Sequence, residues 1–280
     1  MLDEVVDELK KYNIFDINIF RPTYKKEISL YINKNIHRFD LLILFGGDGT
    51  LNETINGLMI SDRNVKLLYI PSGTVNDFGN YLKIPSDYKE AFALLKNDAV
   101  GIDICQVNEM YFSYVLACGK FTNVSYGGNY KNNKKALGKF YYYFRALKEL
   151  FKFSKIKFII NNSIEKRYAL MLGLNIYRVA GFNIRNKKNK LNDGNINVVF
   201  FKSTIFFSTL AIGLFLVFGI VLKGMVEVYT GNKFEISSNL KQQFNTDGEE
   251  SYFTDYVNIK VIKEALRIYL PPESIKKYFK

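Results

Sequence analysis

LLILFGGDGTLNETING, residues 41–57, decides the reading of the fold, and YIPSGTVNDFG, residues 69–79, repeats it. Each is a short apolar run, then a Gly-rich polar loop, then a helical pattern. Leu41–Phe45 and Leu67–Ile70 read as buried parallel strands. Their loops, Gly46–Thr50 and Ser72–Asp77, then fall at strand ends, where open α/β sheets bind ligands. Glycine lets the backbone come close to a phosphate, and helix N-terminal N–H groups favour its charge. Each loop also carries one acid, Asp48 or Asp77. A carboxylate beside a phosphate is repulsive unless a cation stands between them, so the pair implies a Mg²⁺-phosphate site and phosphotransferase chemistry.

Working outward, Leu2, Val5, Val6 and Leu9 mark a helical face over residues 2–12. Asp16–Phe20 alternates like a strand, Glu27–Asn35 reads helical, a helix begins near Leu51, and another covers Tyr88–Lys96. This alternation predicts an α/β domain with a parallel sheet over residues 1–100. From Ile102 the character changes. Ile102–Val107, Tyr111–Ala117, Lys157–Ile160, Tyr168–Ile176, Ile196–Phe201, Phe234–Ser237, Val257–Val261 and Leu266–Leu270 read as strands, with Ala136–Phe151 the main helix among them. Residues 101–280 are therefore expected to form a mostly β, sandwich-like C-terminal domain.

The 280 residues carry 39 Lys and Arg against 27 Asp and Glu, a net charge of +12. That balance favours an anionic partner, and the lysines are scattered rather than striped with aromatics as in nucleic-acid binders. An acidic membrane surface is preferred, no nucleic acid is expected, and a merely solubilising surface is the alternative. Cys105 and Cys118 are the only cysteines and form no CxxC or Cys/His cluster, so neither a disulfide framework nor a zinc site is expected, and a cytoplasmic location fits. His37 is the sole histidine and reads as a surface residue, which leaves general-base work to a carboxylate. Thr204–Leu222, TIFFSTLAIGLFLVFGIVL, has no charge and nears the length of a membrane span. Probable strands of one domain flank it, which favours a buried or membrane-touching helix over a span.

GGDGT with PSGTVNDF about two dozen residues on resembles the diacylglycerol kinase catalytic-domain family, above all its soluble bacterial lipid kinases. GGDG also occurs in NAD kinases and phosphofructokinases; the second loop is the more specific. LNDG at Leu191–Gly194 and DGE at Asp247–Glu249 extend the likeness over nearly the whole chain. In the family a first strand and an Asn-Pro-x-x-Gly phosphate loop precede the first helix. No such motif occurs here, so the chain is expected to be N-terminally short and its activity in doubt.

The resemblance implies an ATP- and Mg²⁺-dependent kinase acting on a lipid hydroxyl, with diacylglycerol ahead of a sphingoid base, another glycerolipid or a polyprenol. A catalytically impaired nucleotide- or lipid-binding protein is the alternative, with NAD kinase behind it. The nucleotide cradle falls to Gly46, Gly47, Asp48, Gly49, Thr50, Leu51, Asn52 and Glu53, with Gly73 and Thr74 from the second loop and Thr23 by loose alignment. Asn52 and Glu53 suit helix capping equally well, and Asn56 reads as structural. Asp48 and Asp77 are catalytic candidates, through metal or through the substrate hydroxyl; Asp77 could instead serve its own turn. Glu249 is the implied proton acceptor, and Asp247 supports its turn or the metal network. Asp193, with the carbonyls of Leu191 and Asn195, is the implied structural Mg²⁺ site, against a simple Asp-Gly turn. Asp103 resembles a family aspartate that ties the domains or joins the site's water network, against a plain strand-entry aspartate. The expected partners are a membrane lipid substrate and, peripherally, an anionic membrane; a homodimer is left open.

Overall fold

The computed structural model describes residues 2–61, 64–119, 156–161, 164–184, 189–204, 207–248 and 250–279. The chain forms two compact units. The first comprises Met1–Ile104, Lys190–Gly194 and Ile262–Lys280, and the second Cys105–Asn189 and Asn195–Val261. The first unit thus takes in residues from the part beyond 100 that sequence reading had kept whole.

In the first unit, β1 (Leu41–Gly46) and β2 (Lys66–Pro71) pair in parallel, Leu41 opposite Lys66 through Gly46 opposite Pro71. Arg267 and Ile268, the end of β13 (Glu250–Ile268), pair in parallel with Lys66 and Leu67. Four residues of β2, Leu67 to Ile70, are at most 1% exposed, as a continuous apolar run in a central parallel strand requires. Helix α1 (Leu2–Lys10), with Leu9 buried, covers this core together with α5 (Tyr88–Ala93). Asp87 caps α5, accepting from the N–H groups of Lys89 and Glu90 at 2.9 and 3.1 Å. Helix α2 (Glu27–Asn35) packs on α3 (Asp48–Ser61) at Gly57, where a Cβ would stand 3.0 Å from both Ile32 and Ser29.

Several expectations change. Asp16–Phe20 is not a strand. Among the described residues no strand pairs with it; Ile14 and Ile17 pack on the core, and Phe20 stacks on Tyr31 with ring centroids 3.9 Å apart. Helix α3 begins at Asp48, not near Leu51, because the Leu51 N–H already bonds to the Gly47 carbonyl at 3.0 Å. Asp48 and Gly49 of the first loop therefore lie in the helix's first turn, with the Gly47 carbonyl as an acceptor at its start. The C-terminal helix Pro272–Tyr278, unmarked in the sequence reading, is held by a Ser274 Oγ bond to the Leu82 carbonyl at 2.5 Å and by stacking of Tyr278 on Tyr81.

The second unit is antiparallel. β11 (Val226–Gly231) pairs with β10 (Ile196–Lys202), which pairs with β7 (Ile164–Leu174). β7 then pairs with β5 (Val115–Gly119) along one part of its length and with β6 (Ile156–Ile160) along another. Both of those pair with β12 (Lys233–Thr246), whose register shifts between Ser237 and Gln242, and β12 pairs with β13. Phe158, Tyr168, Phe200, Phe244 and Ile236 anchor its core.

The single strand expected over Tyr111–Ala117 is two, β4 (Met110–Phe112) and β5. Ser113 and Tyr114 turn their N–H groups to the Asp247 carboxylate instead of to a neighbouring strand. Val257–Val261 and Leu266–Leu270 fall in and beyond one long strand, β13, kinked where Glu264 takes φ +50°. β11 is an additional strand. Among the described residues of the apolar stretch 204–222 the helix is twelve residues long, Phe207–Phe218. Gly219, at φ +68°, ends it by bonding its N–H back to the Phe215 carbonyl at 2.8 Å. Among the described residues no helix is long and apolar enough to cross a membrane. The helix expected over Ala136–Phe151 lies outside the described residues.

Candidate active site

The two Gly-rich loops meet within the first unit, at the carboxyl ends of β1 and β2. The Ser72 N–H bonds to the Gly46 carbonyl at 2.9 Å, extending the strand pairing into the loops. Beyond it the backbones touch at glycines. A Cβ on Gly73 would stand 2.5 Å from the Gly47 Cα, and one on Gly46 2.5 Å from Thr50. No side chain fits there, so the loops present bare main chain, as a phosphate cradle needs. Asn76, at φ +51°, locks the second loop: its Oδ1 accepts from the Gly73 N–H and its Nδ2 donates to the Gly73 carbonyl, both at 2.9 Å. Ser72, Gly73 and Thr74 remain exposed.

Asp48 joins the loops chemically. Its carboxylate accepts from the N–H groups of Asp77 and Phe78 at 3.0 and 3.3 Å, at the start of α4 (Asp77–Tyr81). Two backbone donors fix the orientation of the carboxylate. Asp77 is 2% exposed. Beneath them lies Tyr69, fully buried, its hydroxyl without a hydrogen-bond partner among the described residues. Burial first, and then the charge of Asp48, push that phenol far above its ordinary range. Sequence reading missed both Tyr69, which reads as one more apolar strand residue, and Asn76, whose role depends on the left-handed turn.

The other cradle candidates divide. Gly46, Gly47 and Thr50 lie at the loop contact, and Gly49 lies in the first turn of α3. Asn52 is 1% exposed and lies in the second turn of α3, where its carbonyl and side chain accept from Asn56 Nδ2 at 2.9 and 3.3 Å. Leu51 is fully buried, and Glu53 is half-buried in the same turn. Neither Asn52 nor Glu53 caps the helix, since α3 starts four residues earlier than the capping reading requires. Thr23 is exposed, with its N–H and hydroxyl bound to Glu27 Oε2 ahead of α2.

Two further acids are structural anchors. Asp103 is buried; its carboxylate accepts from Gly194 N–H at 2.6 Å and Glu264 N–H at 2.8 Å, and its own N–H bonds to the Leu191 carbonyl at 2.7 Å. It therefore holds the loop that carries Asp193. Burial raises the Asp103 carboxyl above its ordinary value, partly offset by those two donors, and the charge of Asp193 adds to the rise. Asp193 and Asn195 are half-buried, and Leu191 is buried.

Asp247, in the second unit, is 1% exposed and takes four donors: Ser113 N–H and Oγ at 2.8 and 3.0 Å, Tyr114 N–H at 2.9 Å and Val115 N–H at 3.0 Å. Asp247 and Gly248 have φ +50° and +69°, a turn that this satisfied carboxylate pins. Glu249, next in sequence, lies outside the described residues. Neither cysteine is in a disulfide and both are buried, and no group of three His, Cys, Asp or Glu residues able to hold a metal occurs among the described residues.

Bare loop backbone at the ends of parallel strands, with an oriented carboxylate beside it, is the arrangement that suits a phosphate-handling α/β unit. The comparisons narrow this class. A family model for the diacylglycerol kinase catalytic domain matches residues 1–107. A diacylglycerol kinase of Staphylococcus epidermidis is 34% identical over 216 residues, 75% of this chain and 68% of that one. One of Bacillus subtilis is 30% identical over 76% of this chain and 72% of that one. For one of Staphylococcus haemolyticus the figures are 33%, 75% and 65%, so this chain spans just under two thirds of that relative. A crystal structure of a diacylglycerol kinase from Bacillus anthracis superposes with a TM-score of 0.73 at 21% identity, covering 98% of this chain and 93% of that one, which shows a shared fold. The chain belongs to the diacylglycerol kinase family.

Proposed function

We propose that the chain transfers the γ-phosphate of ATP to the hydroxyl of diacylglycerol, giving phosphatidic acid, with Mg²⁺. The observation that carries this reading is the contact of Gly47 with Gly73, which leaves main chain alone to line the loops, with Asp48 held beside it on two backbone N–H groups. The residues fit the absent groups. Exposed main chain at Gly73 and Thr74 can meet a phosphate, and Mg²⁺ on nucleotide phosphates needs only one or two carboxylates, here Asp48 and Asp77. Bound there, the metal would neutralise charge on the phosphates during transfer.

The protein's share of the work is positioning. Gly46, Gly47, Gly49 and Thr50 with Gly73 and Thr74 hold the phosphates. The O–P bond to the lipid oxygen forms as the bond from Pγ to the bridging oxygen breaks, leaving ADP. Glu249, by family resemblance, takes the hydroxyl proton. A structural Mg²⁺ at Asp193 with the carbonyls of Leu191 and Asn195 belongs to the same reading, supported by the anchoring of that loop on Asp103. We also retain the sandwich-like packing of the second unit and peripheral, cytoplasmic action on a membrane lipid.

The test is transfer of label from ATP to diacylglycerol in mixed micelles with Mg²⁺, run beside a sphingoid base and NAD. Labelled phosphatidic acid is expected, abolished by EDTA and by Glu249→Gln, with nucleotide affinity kept in that variant. Absence of product with every acceptor makes the chain a binding protein, and product on NAD alone makes it an NAD kinase.

A further inference from the structure

Strand β2 contains one residue that its place in the fold does not call for. Leu67, Leu68 and Ile70 fill a buried strand with apolar side chains, whereas Tyr69 carries a hydroxyl into the same interior at 0% exposure. That hydroxyl has no hydrogen-bond partner among the described residues. Burying a hydroxyl without an acceptor is costly, and phenylalanine would fill the same space without that cost. The packing of the strand therefore gives no reason for the oxygen.

The ring is held where its oxygen can serve the loops. Tyr69 stands in register with Leu44 of β1. A Cβ on Gly79 would lie 3.3 Å from the Tyr69 Cε1 and 2.5 Å from the Pro71 Cγ, so α4 rests directly on this side of β2. The Tyr69 ring centroid lies 6.4 Å from that of Phe78. The N–H groups of Asp77 and Phe78, at the start of that helix, are the two that hold the Asp48 carboxylate. Their hold is uneven. Asp77 reaches Oδ2 at 3.0 Å, but Phe78 reaches Oδ1 only at 3.3 Å, longer than an ordinary N–H···O bond. A carboxylate has about four acceptor positions, so a further donor can join these two. Burial and then the charge of Asp48 push the phenol up, so it keeps its proton at working pH and has one to donate.

We propose that Tyr69 is a positioning residue for Asp48: its hydroxyl is the donor that fixes this carboxylate when a Mg²⁺-nucleotide occupies the loops. The oxygen is retained in the core for that state, although it lowers the stability of the fold. Asp48 is then held from two sides, by the backbone at the start of α4 and by the side chain of β2, as the orientation of a carboxylate metal ligand requires. The inference rests on the nucleotide reading of this site and adds to it a residue that touches neither phosphate nor lipid.

The test compares the full chain with Tyr69→Phe, which removes the oxygen and keeps the ring. Binding of Mg²⁺ with the non-hydrolysable ATP analogue AMP-PNP is followed by calorimetric titration, and thermal melting is followed without nucleotide. The variant should melt at or above the parent's temperature and bind Mg²⁺-AMP-PNP about tenfold more weakly or worse, as loss of a hydrogen bond to a charged group predicts. In EDTA the two proteins should bind AMP-PNP alike. In an Asp48→Asn background, Tyr69→Phe should weaken binding by less than about twofold, because the charge it serves is gone. A lower melting temperature of Tyr69→Phe without nucleotide overturns the proposal, since the hydroxyl would then make a structural bond. Parental affinity in Tyr69→Phe overturns it as well, as does a loss that persists in EDTA or adds in full to that of Asp48→Asn. Failure of the parent to bind Mg²⁺-AMP-PNP overturns the nucleotide reading and this inference with it. Binding with the expected Tyr69 effect, but no phosphatidate from ATP, counts against the lipid-kinase reading alone.

Discussion

At the residue scale, single carboxylates and glycines carry different kinds of burden. Asp48 is oriented by two N–H groups, so Asp48→Asn loses the charge and one of its two acceptors. Turnover is expected to fall by about 10²–10³, measured by label transfer from ATP, with a loss of about 1 kcal/mol in stability. Gly73→Ala places a methyl 2.5 Å from the Gly47 Cα. The loops must separate, costing roughly 1–3 kcal/mol by thermal melting and weakening nucleotide binding in a fluorescence titration. Asp247→Ala leaves four donors without their acceptor and should cost about 3–5 kcal/mol, read as a fall in urea midpoint. Glu227 gives a pH signature. Burial pushes its carboxyl up, but bonds from Lys166, Tyr168, Tyr229 and Lys202 outweigh that and bring it down from 4.5 to about 2. Its stabilising effect is therefore full above pH 4.5 and lost as pH falls from there toward 2. Glu227→Gln should flatten the decline in melting temperature across that window.

At the element scale, the loops following β1 and β2 were legible because their glycines and acids stand at fixed distances from apolar runs. The kinks elsewhere were not. The break between β4 and β5 arises from Asp247, more than a hundred residues away in sequence, drawing off the N–H groups of Ser113, Tyr114 and Val115. The kink of β13 at Glu264 serves Asp103 in the same way. No local pattern at Ser113 or Glu264 announces a distant acceptor. The span-like stretch 204–222 was ambiguous for a related reason: hydropathy sees nineteen apolar or neutral residues, whereas the left-handed turn at Gly219 ends the helix at twelve. Asp103→Ala should free the Leu191–Gly194 loop, with faster amide exchange at Gly194 and Glu264 as the measurable outcome.

At the scale of the whole molecule, the first unit is assembled from three separated pieces of chain. Its last piece carries the strand end that pairs with β2 and the helix whose Tyr278 stacks on Tyr81 and accepts from the Leu191 N–H at 2.8 Å. Deleting residues 271–280 should therefore lower the melting temperature of the first unit, though every loop motif is retained; loss of nucleotide protection against proteolysis would report it. By itself the sequence determined the α/β class of the first part, the strand content of the second, the two phosphate-type loops and the acids within them, because these rest on periodicity and on short-range turn chemistry. Only the tertiary structure decided that Asp48 reaches across to α4, that Asp247 and Asp103 are spent on backbone donors, and that the apolar stretch is a short helix. Those outcomes depend on which buried N–H groups and cations come within reach of each carboxylate, and burial makes that pairing compulsory only once the chain has folded.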